Sequence, residues 1–435
     1  MKGNFQIIVL VVFIVAAVFG VLVFSGTIPL GNKKNQAGSQ GTVVLWGTTS
    51  ASAIYPLVEE FNKTNPTIIL KYYQIPADIF DQTLLESLAS GVGPDIFFIP
   101  DNLVMHYKNR IYPVPYESFS LSTFKNSFVS AGEVFLTSKG ILAFPIAVDP
   151  LVMYYNRSAL DANSIVYPPV YWDQFKDLVP LLTKKDDSKQ IIKSTVALGQ
   201  FSNITHAKDI IATLFMQTGN PIVSELGGAF SSSLKSSGGD VQENLVSALS
   251  FYTDFSNPLN YVYSWNKSLP QSKDFFSANN LAFYFGYSSE LQSLISRNPN
   301  QNFSVAQIPQ VRNSNFKLTS ARVTGVAVSA FSKNFNTAFS VASMLATGDF
   351  ARQLTNVFQI PPARRDLLST KLTDAYYPTF FASALYARSW LDPSYGDTNN
   401  IFGGMIDKII SNDMQIRTAI ADASDKLGLL LANYR

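Results

Sequence analysis

The chain runs to 435 residues, more than one hydrophobic core usually serves, so two domains are expected. Its 33 Lys and Arg stand against 31 Asp and Glu, a net charge of +2 that offers no basic excess for a phosphate backbone and argues against nucleic acid as a partner. Cysteine is absent, and with it disulfides, thiolate catalysis, thiolate metal sites and a lipid anchor attached through sulfur.

Phe5 to Phe24 is an uncharged run of roughly 20 residues, enough to cross ~30 Å of hydrocarbon at ~1.5 Å per residue. It reads as a membrane anchor or a signal helix. The run exceeds the about 7–15 apolar residues of a cleavable signal and ends in Val23-Phe24-Ser25-Gly26, a poor cleavage context, which favours an uncleaved anchor. Lys2 and the amino terminus compete with Lys33 and Lys34, so charge alone leaves the orientation open. Residues 25–41, rich in Gly, Ser, Asn and Gln, read as a flexible linker with a reach of roughly 20–25 Å.

Thr42 to Trp46 is a short apolar strand, Ala53 to Thr64 an amphipathic helix with Ile54, Leu57, Val58 and Phe61 on one face, and Ile68 to Tyr73 a second strand. This is the order of a parallel sheet. Phe80 to Ala89 is a helix stopped by Gly91-Val92-Gly93-Pro94, and Asp95 to Ile99 is another buried strand. Asp95, beside the turn, reads as a structural hydrogen-bond acceptor. Gly140 to Arg157 then holds two uncharged β-branched and aromatic runs, Ile141 to Val148 and Leu151 to Tyr155, read as two strands meeting at Asp149-Pro150. Pro150 supplies no amide donor and biases Asp149 toward extended geometry. The carboxylate is expected either where packed structure gives way to a cleft or in a solvated turn.

Farther on, Ile210 to Thr218 and Leu245 to Phe255 are helices, and Ser224 to Gly239 is a surface excursion rich in Ser and Gly. Asn336 to Ala346 is an amphipathic helix that Phe350 to Val357 extends, and residues 401–410 and 413–431 are terminal helices.

Several of these stretches carry a family likeness: the strand, helix, strand, helix, Gly-Val-Gly-Pro-Asp, strand order of the first hundred residues, the crossover PIAVD ending at Asp149, the helix start YPPVYWD over 167–173, and the turn IPPARRD over 360–366. Together they resemble the sugar-binding, maltose-binding-protein-like group of extracytoplasmic solute-binding proteins of ABC importers. The resemblance implies an α/β fold of two lobes (type II), each a mixed sheet flanked by helices, with residues 42–148 and 310–372 in the first lobe and 149–309 and 373–435 in the second. It places the body outside the membrane as a monomeric receptor that closes by hinge motion on a small carbohydrate or polyol, with an ABC permease and its ATPase subunits as partners and no cofactor.

The resemblance also implies where a ligand sits. Thr48, Thr49 and Ser50 follow the first strand and Asp101 follows the third, at the carboxyl ends where α/β sheets bind ligands. Asp149 takes the place of the family's crossover acid. Gln200 and Phe201, with Asn203, fall in a loop that brings polar and aromatic groups to sugar. Tyr287 stands where the family often has Trp, Trp265 is either a second wall or a packing residue, and Trp390 is the aromatic that closes over the ring. Arg322 is either a donor to hydroxyls or a carboxylate, or an exposed ion-pairing arginine. Trp172 reads as packing.

Catalytic chemistry is sparse. His106 and His206 are the only histidines and stand in no ligand-spacing motif. Asp101 and Asp149 could serve as a glycosidase pair, since two carboxylates facing a cleft are what glycoside hydrolysis uses. An anchored hydrolase and a ligand sensor are therefore the alternatives. The pairs Tyr72-Tyr73, Tyr154-Tyr155 and Tyr376-Tyr377 raise ferric iron, although neighbours on a strand point to opposite faces.

Overall fold

The computed structural model describes residues 40–235 and 239–434. The expected anchor Phe5–Phe24 and nearly all of the linker lie outside the described residues, and among the described residues no helix is long and apolar enough to cross a membrane. The main sheet contains β1 (Gly41–Gly47), β2 (Ile68–Gln74), β3 (Ile96–Pro100), β4 (Ala143–Asn156), β5 (Lys184–Lys185), β6 (Ile191–Val196), β7 (Leu281–Tyr287), β8 (Phe303–Ala306), β9 (Thr319–Val328) and β10 (Ala387–Arg388). Their order is β2-β1-β3-β9-β4-β7-β6-β5, with β8 also on β4 and β10 also on β9.

β1 lies parallel to both β2 and β3. Helix α1 (Ala51–Thr64) connects β1 to β2 and buries Ile54, Leu57, Val58 and Phe61, the face its spacing predicts; α2 (Phe80–Ala89) makes the next connection, and α3 (Phe175–Leu182) lies against β6. Asp95 closes the β1–β3 edge: Val44 N donates to its Oδ2 at 2.9 Å and Ser332 Oγ to its Oδ1 at 2.6 Å, the structural role expected of it.

The two strands expected on either side of Asp149-Pro150 are one continuous 14-residue strand, β4. A proline is tolerated there because the neighbours of β4 change at that point. Residues 143–150 pair antiparallel with β9, whereas residues 151–155 pair with β7 and residues 153–156 with β8. The missing amide falls where one ladder hands over to the next, and Asp149 sits at the same seam.

Two hydrophobic clusters lie on either side of that seam. The first draws on residues 43–148, on Val323 and Val326 of β9, and on helices α5 (Phe335–Ala346) and α6 (Gly348–Phe358). The second draws on residues 151–318 and on the terminal helices α8 (Tyr395–Ile410) and α9 (Ile416–Leu431). Leu318 packs in the second cluster and Ala321 in the first, so the chain crosses back at 319–321 rather than at 310. Gln217 Nε2 is the reason, donating to Pro309 O at 3.0 Å and Leu318 O at 2.8 Å and tying that segment to the second lobe. The last crossing is gradual rather than at 373. Helix α7 (Tyr377–Leu385) gives Phe380 to the second cluster and its neighbour Phe381 to the first, and Ala387 still packs in the first.

The surface excursion is a hairpin of Val223–Leu226 and Ala229–Ser232 turned by Gly227 and Gly228 at φ +61 and +84. Gly140, before β4, has φ +141, and a Cβ there would lie 2.3 Å from Val114 O, a backbone atom. Gly140→Ala is expected to cost at least about 2 kcal/mol, from strain at positive φ and a clash that no side chain can relieve. A denaturation midpoint unchanged from wild type would contradict this.

Candidate functional site

The seam between the clusters opens into a cavity of about 450 Å³. β3 ends at Pro100, and Asp101 begins the short 3₁₀ turn Asp101–Leu103 on the cavity wall. Asp101 Oδ1 accepts from Asn102 N at 3.0 Å and Oδ2 accepts from Ser389 Oγ, which reaches across from the far end of the chain. Burial pushes the Asp101 carboxyl up to about 6, against the opposing pull of Ser389, Arg322 and the Asn102 and Val323 amides.

Asp149, in β4, stands opposite Arg322 of β9 in the ladder. Its Oδ1 accepts from Ser288 Oγ at 2.6 Å and Ser289 N at 2.9 Å, in the turn that follows β7. Burial raises this carboxyl as well, opposed by those Ser288 and Ser289 donors and by Arg322. The β7 strand ends in Tyr287, whose ring lies beneath the Arg322 guanidinium at 4.0 Å from its carbon; Tyr395 lies at 6.0 Å on another side. Arg322 Nη2 is 3.8 Å from Asp209 Oδ2.

Asp209 and Lys208 occupy the first turn of α4 (Ala207–Gln217). Lys208 is 2% exposed; its Nζ donates to Asp392 Oδ2 at 2.7 Å, Thr398 Oγ1 at 3.0 Å and Tyr395 O at 3.2 Å, and lies 3.6 Å above the Tyr395 ring centre. Trp390 stacks on Phe402 with ring centres 6.2 Å apart and 27° between planes, and this fixes the indole at the cavity rim.

Of the residues proposed from sequence, Asp101, Asp149, Tyr287, Arg322 and Trp390 are thus brought together around one cavity. Five are not. Thr49 O accepts from Tyr72 OH at 2.6 Å, and Ser50 Oγ pairs with Ser52 Oγ at 2.7 Å on an exposed helix start. Gln200 O accepts from Tyr252 OH at 2.6 Å, and Gln200 borders a separate pocket with Leu259 and Asn412. The Phe201 ring packs over Gly403, and Trp265 is fully buried with its Nε1 donating to Asn203 Oδ1 at 3.1 Å. For Trp265 the packing alternative describes the structure. Trp172 is likewise internal, its Nε1 donating to Gln217 Oε1 at 2.7 Å.

Tyr72 is buried while Tyr73 is half exposed, as opposite faces of a strand require. Among the described residues no group of three or more His, Cys, Asp or Glu could hold a metal ion.

Residues 46–347 match the family model of the bacterial extracellular solute-binding protein. The chain belongs to that family. This solute-binding protein is 23% identical over 161 residues to a protein of Brucella abortus named only as a binding protein, and equally to one of Brucella suis; the matched stretch spans 36% of this chain and 38% of each relative. Solved structures share the fold over far more of the length. The sugar-binding protein MalE of Xanthomonas citri aligns with a TM-score of 0.72 at 15% identity, covering 90% of this chain and 98% of its own. The cyclic α-maltosyl-1,6-maltose binding protein of Arthrobacter globiformis gives 0.72 at 14%, covering 91% and 100%. The maltose-binding MalE of Listeria monocytogenes gives 0.69 at 16%, covering 90% and 98%.

In this solute-binding protein the wall also contains Asp209, Ser320, Asp392 and Tyr395, which motif reasoning missed. Asp209 leaves one trace in sequence, an acid in the first turn of a mostly apolar helix, beside Lys208. Tyr395 and Asp392 leave none, because only the return of the chain across the seam puts them there.

Proposed function

We propose that this protein is the membrane-tethered receptor of an ABC importer, closing its two lobes on a small carbohydrate or polyol. The observation that carries the reading is the cavity itself. At about 450 Å³ it lies within the about 300–1,000 Å³ of small-molecule pockets, and it joins buried carboxylates, two guanidinium groups and aromatic rings where two cores meet. Carboxylates accept from sugar hydroxyls, Arg322 donates, and Trp390 offers a face for the apolar side of a ring. Proteins of the same fold were solved with maltotetraose, cycloalternan and α-D-tagatose, which supports a sugar guest. The apolar run Phe5–Phe24 would hold the body at the membrane and raise its effective concentration at a permease.

Binding without turnover is favoured over glycoside hydrolysis because Asp101 and Asp149 each already accept from serine donors, the arrangement of fixed acceptors. Calorimetry of the full chain against mono- and oligosaccharides and polyols should find one that binds, with scattering showing contraction. Asp149→Ala should weaken that ligand about 10- to 100-fold, the effect of a charge-assisted hydrogen bond worth about 1.5–3 kcal/mol. Superimposable scattering curves with every sugar, or a sugar recovered cleaved, would refute the proposal.

A further inference from the structure

We infer that the preferred guest is an amino sugar, a polyhydroxylated ring bearing a protonated amine, whose ammonium group sits on Asp209. The inference rests on the receptor reading of the cleft and narrows its ligand class. It starts from an imbalance of charge. Four carboxylates line the cavity, those of Asp101, Asp149, Asp209 and Asp392. Asp392 is answered by Lys208 through a 2.7 Å bond. Arg388, also on the wall, makes no ion pair with these acids among the described residues; its Nη1 donates to Ala387 O at 3.2 Å. Asp101, Asp149 and Asp209 thus outnumber Arg322 and Arg388, the remaining cations of the wall.

Asp209 is where the deficit concentrates. The residue is 8% exposed and its Oδ2 is buried without a hydrogen-bond partner. An arginine and a histidine stand near that oxygen, and neither comes within hydrogen-bond distance of it. Arg322 Nη2 is 3.8 Å away, its guanidinium carbon 4.0 Å over the Tyr287 ring centre, and His206 Nδ1 is 3.7 Å away with its Nε2 engaged by Glu290, which Lys273 also pairs at 3.0 Å. The first turn of α4 adds a favourable dipole but no bond to Oδ2. Asp101 and Asp149, by contrast, already accept from serine hydroxyls and backbone amides. A buried carboxylate oxygen without a donor is costly, and an ammonium group admitted beside it by a shift of Arg322 or His206 would supply both the donor and the charge. A uronic acid would meet three carboxylates across the cleft and is disfavoured by the same count.

The test uses the full chain in detergent and matched probes: D-glucosamine, D-glucose, N-acetyl-D-glucosamine and D-glucuronate, and the disaccharide series of chitobiose, N,N′-diacetylchitobiose and cellobiose. The amine of a set should bind about tenfold tighter than its neutral twins, the range of one charge-assisted hydrogen bond, with the uronate weakest. Raising salt from about 50 to about 500 mM should shrink that ratio while wild-type folding is untouched. In Asp209→Asn the amine-to-neutral ratio should fall toward one. A neutral sugar that binds as tightly as its amine overturns the inference and leaves the receptor reading standing. An amine preference that persists in both high salt and Asp209→Asn overturns the assignment to Asp209, and binding by no probe counts against both.

Discussion

Lys208→Met is expected to destabilise the fold by about 3–5 kcal/mol, the cost of leaving one partner of a buried ion pair without its counter-charge. Methionine nearly matches the lysine stem in volume, so the loss would be electrostatic rather than a cavity. What remains is Asp392, buried, accepting from Thr398 Oγ1 at 2.8 Å and Ser394 N at 3.2 Å but facing no cation. The double variant Lys208→Met with Asp392→Leu should recover most of the loss, since the uncompensated charge is then gone. Urea denaturation of the four-member cycle reads this directly, and a single variant within about 1 kcal/mol of wild type would show that the pair is not what holds this seam. Ligand affinity should fall with stability, because Lys208 also positions the Tyr395 ring at the cavity wall.

Asp101→Asn should act in the opposite direction, raising stability at pH 7 while weakening the ligand. The carboxyl titrates at about 6 in the folded protein against a reference of 3.8, so the folded state holds the proton more tightly than the unfolded one. Its favourable contribution is complete below pH 3.8 and is lost as pH rises to about 6, a change of about 3 kcal/mol at 1.36 kcal/mol per unit. Asparagine removes the ionised form and keeps a group that can bond Ser389 Oγ, so a gain of about 1–3 kcal/mol at pH 7 is expected, shrinking to near zero at pH 4. Parallel stability profiles for wild type and variant between pH 4 and 7 would contradict the assignment. The carboxylate is kept ionised in a buried place where the fold would be steadier without it, which is the signature of a group retained for binding.

Alternation and helical spacing made β1, α1, β2 and α2 legible, because each buries one face against a core and the apolar residues mark that face. The crossover was legible as two runs and not as one strand. Asp-Pro is a turn signal in isolation, and only the change of pairing partner at residue 150 makes a proline acceptable inside β4. Asp101, Asp149 and Arg322 could be read because strand ends and crossovers mark where a cleft lies. Trp265 and Gln200 could not be placed, since an indole that donates to Asn203 inside the core and one that faces solvent have the same sequence. Asp209 and Tyr395 come to the wall from a helix start and a late return of the chain, a distance in sequence that no local pattern records.

The position of β9 between β3 and β4 bears on how the chain is made. A ribosome delivers residues 41–148 long before residue 319, so the early half of the first lobe emerges with two strand edges and no strand to join them. The intervening residues 151–318 can condense around their own apolar cluster while that gap is open. Assembly strictly from the amino terminus forward is thereby barred: the lobe that is begun first must wait for a strand made after most of the other, and the other in turn waits for the terminal helices.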